Sequence, residues 1–316
     1  MQTLLVLLGP TGVGKTTLSL RLANRFQAPI LSSDSRQFYR ELKIGTATPS
    51  DDQLKQAQHF FIGTHSILDT YNAGQYEIDV IRLLPTLFET TDFVLLAGGS
   101  MLYIDAVCQG IDDLPTIDVE IRNYVQQLFQ QDGLQAIRNL LRQLDPDYYG
   151  QVDLMNAKRI MHALEVCLIT NQPYSSLRTQ TTKLRPFRIL KIGLTLPREE
   201  LYQRINLRVD EMIEQGLEAE ARSLYPFKHL NPLNTVGYKE FFDYFDGLYS
   251  YDVAIDKIKQ HSRNYAKKQL SWFNRDDSVQ WFQPNEEEAI IAYIEKTTHA
   301  EHVAQKKEIT SPLNEI

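Results

Sequence analysis

Short apolar runs without polar alternation recur along the chain, and each is followed by glycine or small polar residues and then by a helical pattern. The first three runs are residues 4–8, 30–31 and 93–97, and a fourth is residues 189–196. Runs of this kind are typical of parallel strands that are buried on both faces of a sheet. The sequence therefore predicts an α/β fold in which helices flank a doubly wound parallel sheet.

The long interval between the third and fourth runs has helical rather than strand-like spacing. Its apolar residues, beginning with Ile121 and Val125, recur at intervals of three and four residues. We therefore expect an all-helical insertion domain at residues 112–186. The catalytic core is then made of residues 1–111 and 187–283.

The last third of the chain predicts two long helices and a tail. Pro197 and the acids that follow it suit the first turn of a helix. A second long helix is expected at residues 251–273. Residues 284–316 are polar and acidic, so we expect them to form a flexible C-terminal tail.

The charge of the chain is unevenly distributed. It has 33 basic and 40 acidic side chains and a net charge of −7, which argues against a uniformly basic nucleic-acid coat protein. The sum conceals a contrast, because residues 253–275 carry +5 and residues 286–316 carry −4. A localised basic helix, with aromatic residues interleaved, is therefore available to a polyanion.

Cysteine content and hydropathy indicate the compartment. The two cysteines, Cys108 and Cys167, lie far apart and have neither zinc-site nor disulfide-framework spacing. The first apolar run stops at Gly9 without the features of a secretory signal, and no segment approaches the roughly 20 apolar residues of a membrane span. We expect a cytoplasmic protein with no membrane partner.

The strongest chemical motif is a complete G-x-x-x-x-G-K-[ST] pattern between the first strand and the helix after it. In such a loop the glycines let backbone N–H groups face phosphate oxygens, the lysine adds a positive charge, and the last hydroxyl can hold Mg²⁺. A glycine-rich turn without a ligand is disfavoured, because every specified position and both flanking elements are present. We expect a diphosphate or triphosphate on Gly9, Pro10, Thr11, Gly12, Val13, Gly14, Lys15 and Thr16, with Thr16 at the metal.

Three further residues are candidates for catalysis. Asp34 follows the second strand and Ser100 follows the third, so both should lie at the carboxyl edge of the sheet, where ligands bind. Asp34 could be a general base, a ligand of the metal shell or a helix cap, and for Ser100 a helix cap is the simpler interpretation. Arg208 shares a helix face with Arg204 and has only Glu211 nearby, so it is a candidate for either a site residue or a solvated charge.

The chain resembles the tRNA dimethylallyltransferase family, also called tRNA isopentenyltransferase, of bacterial type. The resemblance covers residues 4–282 and rests on the segments GPTGVGKT, SSDSRQFY, KIGTATP, LAGGSMLY, RIMHALEV, QRINLRVDEMIEQGLEAE, TVGYKEF and RNYAKKQLSWFNR, in the family's order and spacing. It implies a P-loop NTPase-like core. It also implies transfer of a dimethylallyl group from dimethylallyl diphosphate to N6 of adenosine 37, beside the anticodon of tRNAs that read codons beginning with U. Mg²⁺ is the implied cofactor, and we expect a monomer.

The resemblance also implies residue roles. Asp34 corresponds to the general base for the adenine amine, Ser100 stands where relatives usually have threonine, and Arg208 corresponds to an arginine that grips the diphosphate. The segments implied to contact the anticodon stem-loop comprise Asp34, Ser35, Arg36, Gln37, Ser100, Arg122, Lys158, Arg159, Ile160, Met161, His162, Asn234, Thr235, Val236, Gly237, Tyr238 and Lys239. The basic helix adds Lys267 and Lys268, with a solvated charged face as the alternative.

Two departures and three rival functions remain at this point. Thr48 stands where the family often has lysine, and Gln58 where it often has the first histidine of a pair, so those contacts do not carry over. An adenylate isopentenyltransferase that acts on free AMP, ADP or ATP is disfavoured by the helical insertion and the basic helix. A P-loop kinase for small metabolites is an alternative enzyme class. A nucleotide switch is disfavoured because the sequence contains no NKxD guanine signature.

Overall fold

The computed structural model of the protein describes residues 2–309 except 113, 116, 117 and 180. Its strands are β1 (Thr3–Leu8), β2 (Ile30–Ser32), β3 (His59–Phe60), β4 (Phe93–Gly98), β5 (Arg188–Leu194) and β6 (Gln280–Phe282). Its helices are α1 (Lys15–Phe26), α2 (Asp51–Leu54), α3 (Ala73–Phe88), α4 (Met101–Gln109), α5 (Val119–Leu144), α6 (Pro146–Tyr149), α7 (Ala157–Thr170), α8 (Tyr174–Leu177), α9 (Arg198–Glu214), α10 (Leu217–Leu224), α11 (Tyr238–Phe245), α12 (Tyr251–Phe273) and α13 (Glu287–Ile309). Two 3₁₀ turns lie at Tyr225–Phe227 and Asn231–Leu233.

The strands of the described chain form one parallel sheet in the order β3-β2-β4-β1-β5-β6. The predicted α/β class, a parallel sheet flanked by helices, is confirmed. β1 is central and all six of its residues are buried, which explains the apolar run from Leu4 to Leu8. Because β2, β4 and β1 are neighbours, the segments that follow them meet at one edge of the sheet.

The chain divides into two compact units. The first contains Met1–Cys108 and Arg185–Ile316, and the second contains Gln109–Leu184. The second unit begins three residues before, and ends two residues before, the insertion expected at 112–186.

The second unit has its own apolar core. Val125 and Ile137 of α5 are fully buried in one cluster with Ile160 and Leu164 of α7. A helical pattern with buried positions at these intervals supplies one apolar face per helix. The α5 helix is interrupted at Gly133, whose φ of 75° lies in the left-handed region.

The acidic C-terminal segment is helical rather than a flexible tail. Ile290 and Ile294 of α13 are fully buried in the cluster on one face of the sheet. Its Glu287 carboxylate lies 2.6 Å from the Arg21 guanidinium, and Glu295 makes a second ion pair with α1. The prediction of a flexible tail is therefore wrong for this helix. The prediction relied on the acidic composition of the segment and overlooked two apolar residues that lie four positions apart and share one helix face. Residues 310–316 of the predicted tail lie outside the described residues.

No described helix combines the length and apolar character needed to cross a bilayer.

Candidate active site

The loop between β1 and α1 has the backbone geometry that an anion requires. Gly9 has a φ of 148°, and a Cβ at this position would lie 2.7 Å from the Leu194 carbonyl oxygen on β5. Gly14 is left-handed, with a φ of 106°, and precedes α1 without a side-chain cap. The first N–H groups of α1 are therefore free of a capping side chain and can bind phosphate oxygens.

Lys15 lies folded over this loop. Its Nζ donates hydrogen bonds to the Gly9 and Pro10 carbonyl oxygens at 2.9 and 2.8 Å. Burial, together with the positive charge of Arg208, lowers the pKa of Lys15 to about 7, against the opposing effect of Asp34. The neutral amine present near this pH can therefore take up a proton when a phosphate anion binds beside it.

Arg208 reaches the same loop from α9. Its Nη1 donates to the Thr11 hydroxyl at 3.4 Å, and burial lowers its pKa while the charges of Asp34 and Glu211 oppose that shift. Arg208 is therefore partly buried beside this loop and is not a solvated charge. In contrast, Arg204 pairs with Glu200 at 2.8 Å on the helix surface.

Asp34 lies at the carboxyl end of β2 and caps no helix. One of its carboxylate oxygens accepts a hydrogen bond from the Arg36 N–H at 3.0 Å, which fixes the side chain in a local turn. Its charge acts on both Lys15 and Arg208. A carboxylate with this placement can accept a proton beside the loop of residues 9–16, which we call the anion loop.

Ser100 bonds across the sheet edge to the segment after β2. Its hydroxyl accepts a hydrogen bond from the Ser35 N–H at 2.8 Å and donates to the Ser35 hydroxyl at 3.1 Å. Ser100 therefore joins the loops that follow β2 and β4. Burial raises the pKa of Tyr265, which lines the same region, to about 12, with a further contribution from Asp34.

Two adjoining cavities meet at this point. Both are lined by Thr11, Asp34, Arg208, Met212 and Tyr265. The first, which we call the loop cavity, continues along Gly12, Gly14, Lys15, Thr16, Thr48 and His59. The second, which we call the basic cavity, continues along Ser35, Arg36, Asn234, Thr235, Val236, Gly237, Lys239, His261, Asn264 and Lys268. Asp34 and Arg208 stand at the junction.

The structure also shows polar residues that sequence reasoning missed. The carboxylate of Glu220 accepts hydrogen bonds from the backbone N–H groups of Lys43, Ile44 and Gly45 at 2.9 to 3.1 Å. Gln269 joins the anion loop to Gly99 from α12. These partners lie between 170 and 258 residues apart, so no local sequence signal could have found them.

Two residues predicted to contact tRNA use their side chains for hydrogen bonds within the protein. Tyr238 is fully buried, and its hydroxyl donates to Glu220 at 2.6 Å, so its side chain supports the fold instead of facing a ligand. Gln37 donates to the Thr46 and Ala47 carbonyl oxygens at 3.2 and 3.3 Å. Both side chains hold the segment after β2 in place. Lys267 is exposed on α12.

The family model described as IPP transferase matches residues 37–276 of the chain. The chain belongs to the IPP transferase family. A relative named tRNA dimethylallyltransferase 1, from Bacteroides thetaiotaomicron, is 56% identical over 294 residues, which cover 93% of this chain and 96% of the relative.

Solved structures agree with this assignment. A tRNA isopentenylpyrophosphate transferase from Bacillus halodurans has a TM-score of 0.69 at 31% identity and covers 96% of this chain and 100% of its own. A tRNA delta(2)-isopentenylpyrophosphate transferase from Staphylococcus epidermidis has a TM-score of 0.67 at 29% identity, with 94% and 100% covered. The predicted family and the predicted enzyme class, a transferase of the prenyltransferase type, are confirmed.

The second unit of this IPP transferase presents most of its predicted RNA contacts to solvent. Lys158, Arg159 and His162 are exposed on α7, and the exposed Arg122 lies 3.7 Å from Glu165. Ile160 is fully buried in the core of the unit, so its side chain is unavailable to a ligand. Met161 packs against the same core.

The two departures from the family pattern have defined positions in this IPP transferase. Thr48 lines the loop cavity, and its hydroxyl is hydrogen-bonded to the Thr46 hydroxyl at 2.8 Å. Gln58 is exposed beside His59, whose Nδ1 lies 2.8 Å from the Ala57 carbonyl oxygen. Burial lowers the pKa of His59.

The described residues contain no cluster of three His, Cys, Asp or Glu side chains that could hold a metal ion. Mg²⁺ is commonly held by one or two protein oxygens together with the phosphates of a substrate. The Thr16 hydroxyl, which lines the loop cavity, fits that mode of binding.

Proposed function

We propose that the chain is a tRNA dimethylallyltransferase. It transfers the dimethylallyl group of dimethylallyl diphosphate to N6 of adenosine 37, next to the anticodon of tRNAs that read codons beginning with U. The observation that carries this proposal is the junction of the loop cavity and the basic cavity at Asp34 and Arg208. The name of the Bacteroides thetaiotaomicron relative supports the same reaction.

The loop cavity is the donor side. Gly9, Pro10, Thr11, Gly12, Val13, Gly14, Lys15 and Thr16 would surround the diphosphate with N–H groups and one ammonium. Mg²⁺, held by Thr16 and the diphosphate, would supply further positive charge beside the leaving oxygens. The dimethylallyl carbon would then face the cavity junction.

Asp34 is the proposed general base on the acceptor side. The adenine N6 amine is a weak nucleophile, so a carboxylate that takes its proton assists attack. The N6–C1 bond forms while the C1–O bond to diphosphate breaks, and the N6 proton passes to Asp34. Ser100 holds this segment through its hydrogen bonds to Ser35.

Lys15 and Arg208 stabilise the leaving group. Negative charge develops on the bridging oxygen as the C1–O bond breaks, and cations already in place lower the free energy of that transition state. Their positions near Thr11 and the loop carbonyls suit this role. Diphosphate is the second product, and ATP hydrolysis is not part of the cycle.

The basic cavity is the proposed entrance for an extruded RNA base. Arg36, Lys239 and Lys268 line it, together with the partly buried Tyr265. A base in an RNA loop must leave its stack to reach a buried site, which costs a few kcal/mol. Cationic side chains that contact the neighbouring phosphates offset part of this cost. Lys267 extends the basic surface along α12. Lys158, Arg159 and His162 of the second unit are proposed separately as RNA contacts.

Labelled dimethylallyl diphosphate tests the function directly. The purified chain with Mg²⁺ should transfer label to an anticodon stem-loop RNA that carries adenosine 37, and should transfer none to the same RNA with guanosine there. Label that enters AMP but never RNA would indicate an adenylate isopentenyltransferase. ATP-dependent phosphorylation of a small metabolite without prenyl transfer would indicate a kinase.

The setting of the enzyme forms part of the proposal. Both cysteines are free and buried, which suits the reducing cytoplasm, and we infer a monomer. Light scattering of the purified chain alone should give one species of 36.5 kDa. With the RNA stem-loop bound, the mass should rise by that of one stem-loop. A stable dimer would contradict the monomer.

A further inference from the structure

The carboxamide of Gln269 is buried between the anion loop and the turn after β4. The side chain is 2% exposed. Its Oε1 accepts a hydrogen bond from the Thr11 N–H at 2.8 Å, and its Nε2 donates to the Gly99 carbonyl oxygen at 2.8 Å. Both ends of one side chain are therefore used to join two loops at the edge of the sheet.

The two segments joined by Gln269 carry the two halves of the site. Thr11 belongs to the anion loop, whereas Gly99 directly precedes Ser100, which bonds to Ser35 beside Asp34. A Cβ on Gly99 would overlap Gln269 Nε2, so the packing leaves no slack at this joint. One buried carboxamide thus links the anion loop to the segment that carries Ser100.

Gln269 also shares a helix face with Tyr265, one turn earlier on α12. Tyr265 lines both cavities at their junction. Lys267 and Lys268 are exposed on the same helix. One helix thus carries the basic residues proposed to bind RNA, a residue at the cavity junction and the Gln269 carboxamide.

We propose that Gln269 is a positioning residue that sets the anion loop against the Ser100–Asp34 side of the site. This inference rests on the proposed function. Transfer between two bound reactants depends on their alignment to about an ångström. Loss of the carboxamide would therefore act on donor binding and on turnover, while the RNA surface stays in place.

The substitution Gln269→Met separates positioning from packing, because methionine has similar volume and no hydrogen bond to offer at these distances. We expect the Kd of dimethylallyl diphosphate to rise about tenfold, since two buried hydrogen bonds are lost. We expect kcat with the RNA stem-loop to fall by at least about tenfold. The Kd of the RNA should stay within about twofold.

The matched control is Gln260→Met, which makes the same chemical change at an exposed position of α12. It should leave all three quantities at wild-type values. A second variant, Gly99→Ala, keeps Gln269, but the added methyl group would overlap the Gln269 carboxamide and displace it. It should reproduce the defects of Gln269→Met, and it serves as the test if Gln269→Met does not fold.

Calorimetry with dimethylallyl diphosphate alone keeps this test independent of the proposed function. If the wild-type chain binds the donor but never modifies RNA, the proposed function fails while donor affinity still reports on Gln269. Wild-type donor affinity and kcat in both variants would overturn the positioning role. A parallel loss of RNA affinity in both would overturn it in favour of a general structural role.

Discussion

Donor binding should be linked to the uptake of a proton by Lys15. The pKa of this ammonium is lowered to about 7 by burial and by Arg208. A bound diphosphate favours the charged form, because an anion beside an ammonium raises its pKa. Well above pH 7, the complex therefore holds one more proton than the free enzyme. The affinity for the donor consequently falls as the pH rises above about 7.

The size of the effect follows from the lowered pKa. With a pKa of about 7, roughly half of the free enzyme carries the proton at pH 7 and about one molecule in eleven at pH 8. Binding should therefore take up roughly 0.5 proton at pH 7 and about 0.9 at pH 8. The Kd should rise about fivefold from pH 7 to 8 and about tenfold from pH 8 to 9.

Calorimetry in two buffers of different ionisation enthalpy measures this uptake. At pH 8 the observed heat should differ between the buffers by about 0.9 of their difference in ionisation enthalpy. Lys15→Arg should abolish the difference, because a guanidinium stays protonated in proteins. Lys55→Arg, on the exposed surface next to Asp52, should retain it. Equal heats for the wild-type enzyme in both buffers would refute the reasoning.

Three other predictions address the base, the RNA surface and the C-terminal helix. Asp34→Asn should lower transfer about 10²- to 10⁴-fold in a single-turnover assay with RNA affinity unchanged, and normal transfer would remove Asp34 as the base. Lys267→Ala with Lys268→Ala should weaken RNA binding and flatten its salt dependence without affecting donor binding, whereas an unaltered salt slope would place the RNA elsewhere. Ile294→Ala should cost about 2–5 kcal/mol in urea denaturation because the side chain is fully buried, against no measurable cost for the exposed Glu288→Ala.

The central part of the fold follows from local sequence signals. The apolar runs predicted as strands correspond to β1, β2, β4 and β5, because strands covered on both faces must be apolar along their whole length. The edge strands β3 and β6 were not predicted. They contain two and three residues, which is too short for a periodic pattern to emerge.

Some parts of the candidate site could likewise be predicted from the local sequence, and others could not. A phosphate loop is encoded by adjacent residues, so its position was readable from the sequence alone. Glu220 and Gln269 act on loops far away in the chain, and a polar residue on a helix carries no mark of such a partner. Family blocks identify segments rather than side-chain directions, which is why the buried Tyr238 and Ile160 were grouped with exposed neighbours.

The position of β1 at the middle of the sheet has a consequence for synthesis. Leu4 pairs with Val94 on one side and with Ile189 on the other. During translation, the second edge of β1 therefore has no partner strand until residues 185 positions later in the chain have been synthesised. Long-range parallel pairing is slow to form. The second unit spans a continuous stretch with its own apolar core and can close before β5 leaves the ribosome. The phosphate loop, seated on β1 and touching β5, is thus among the last parts of the nascent enzyme to become fixed.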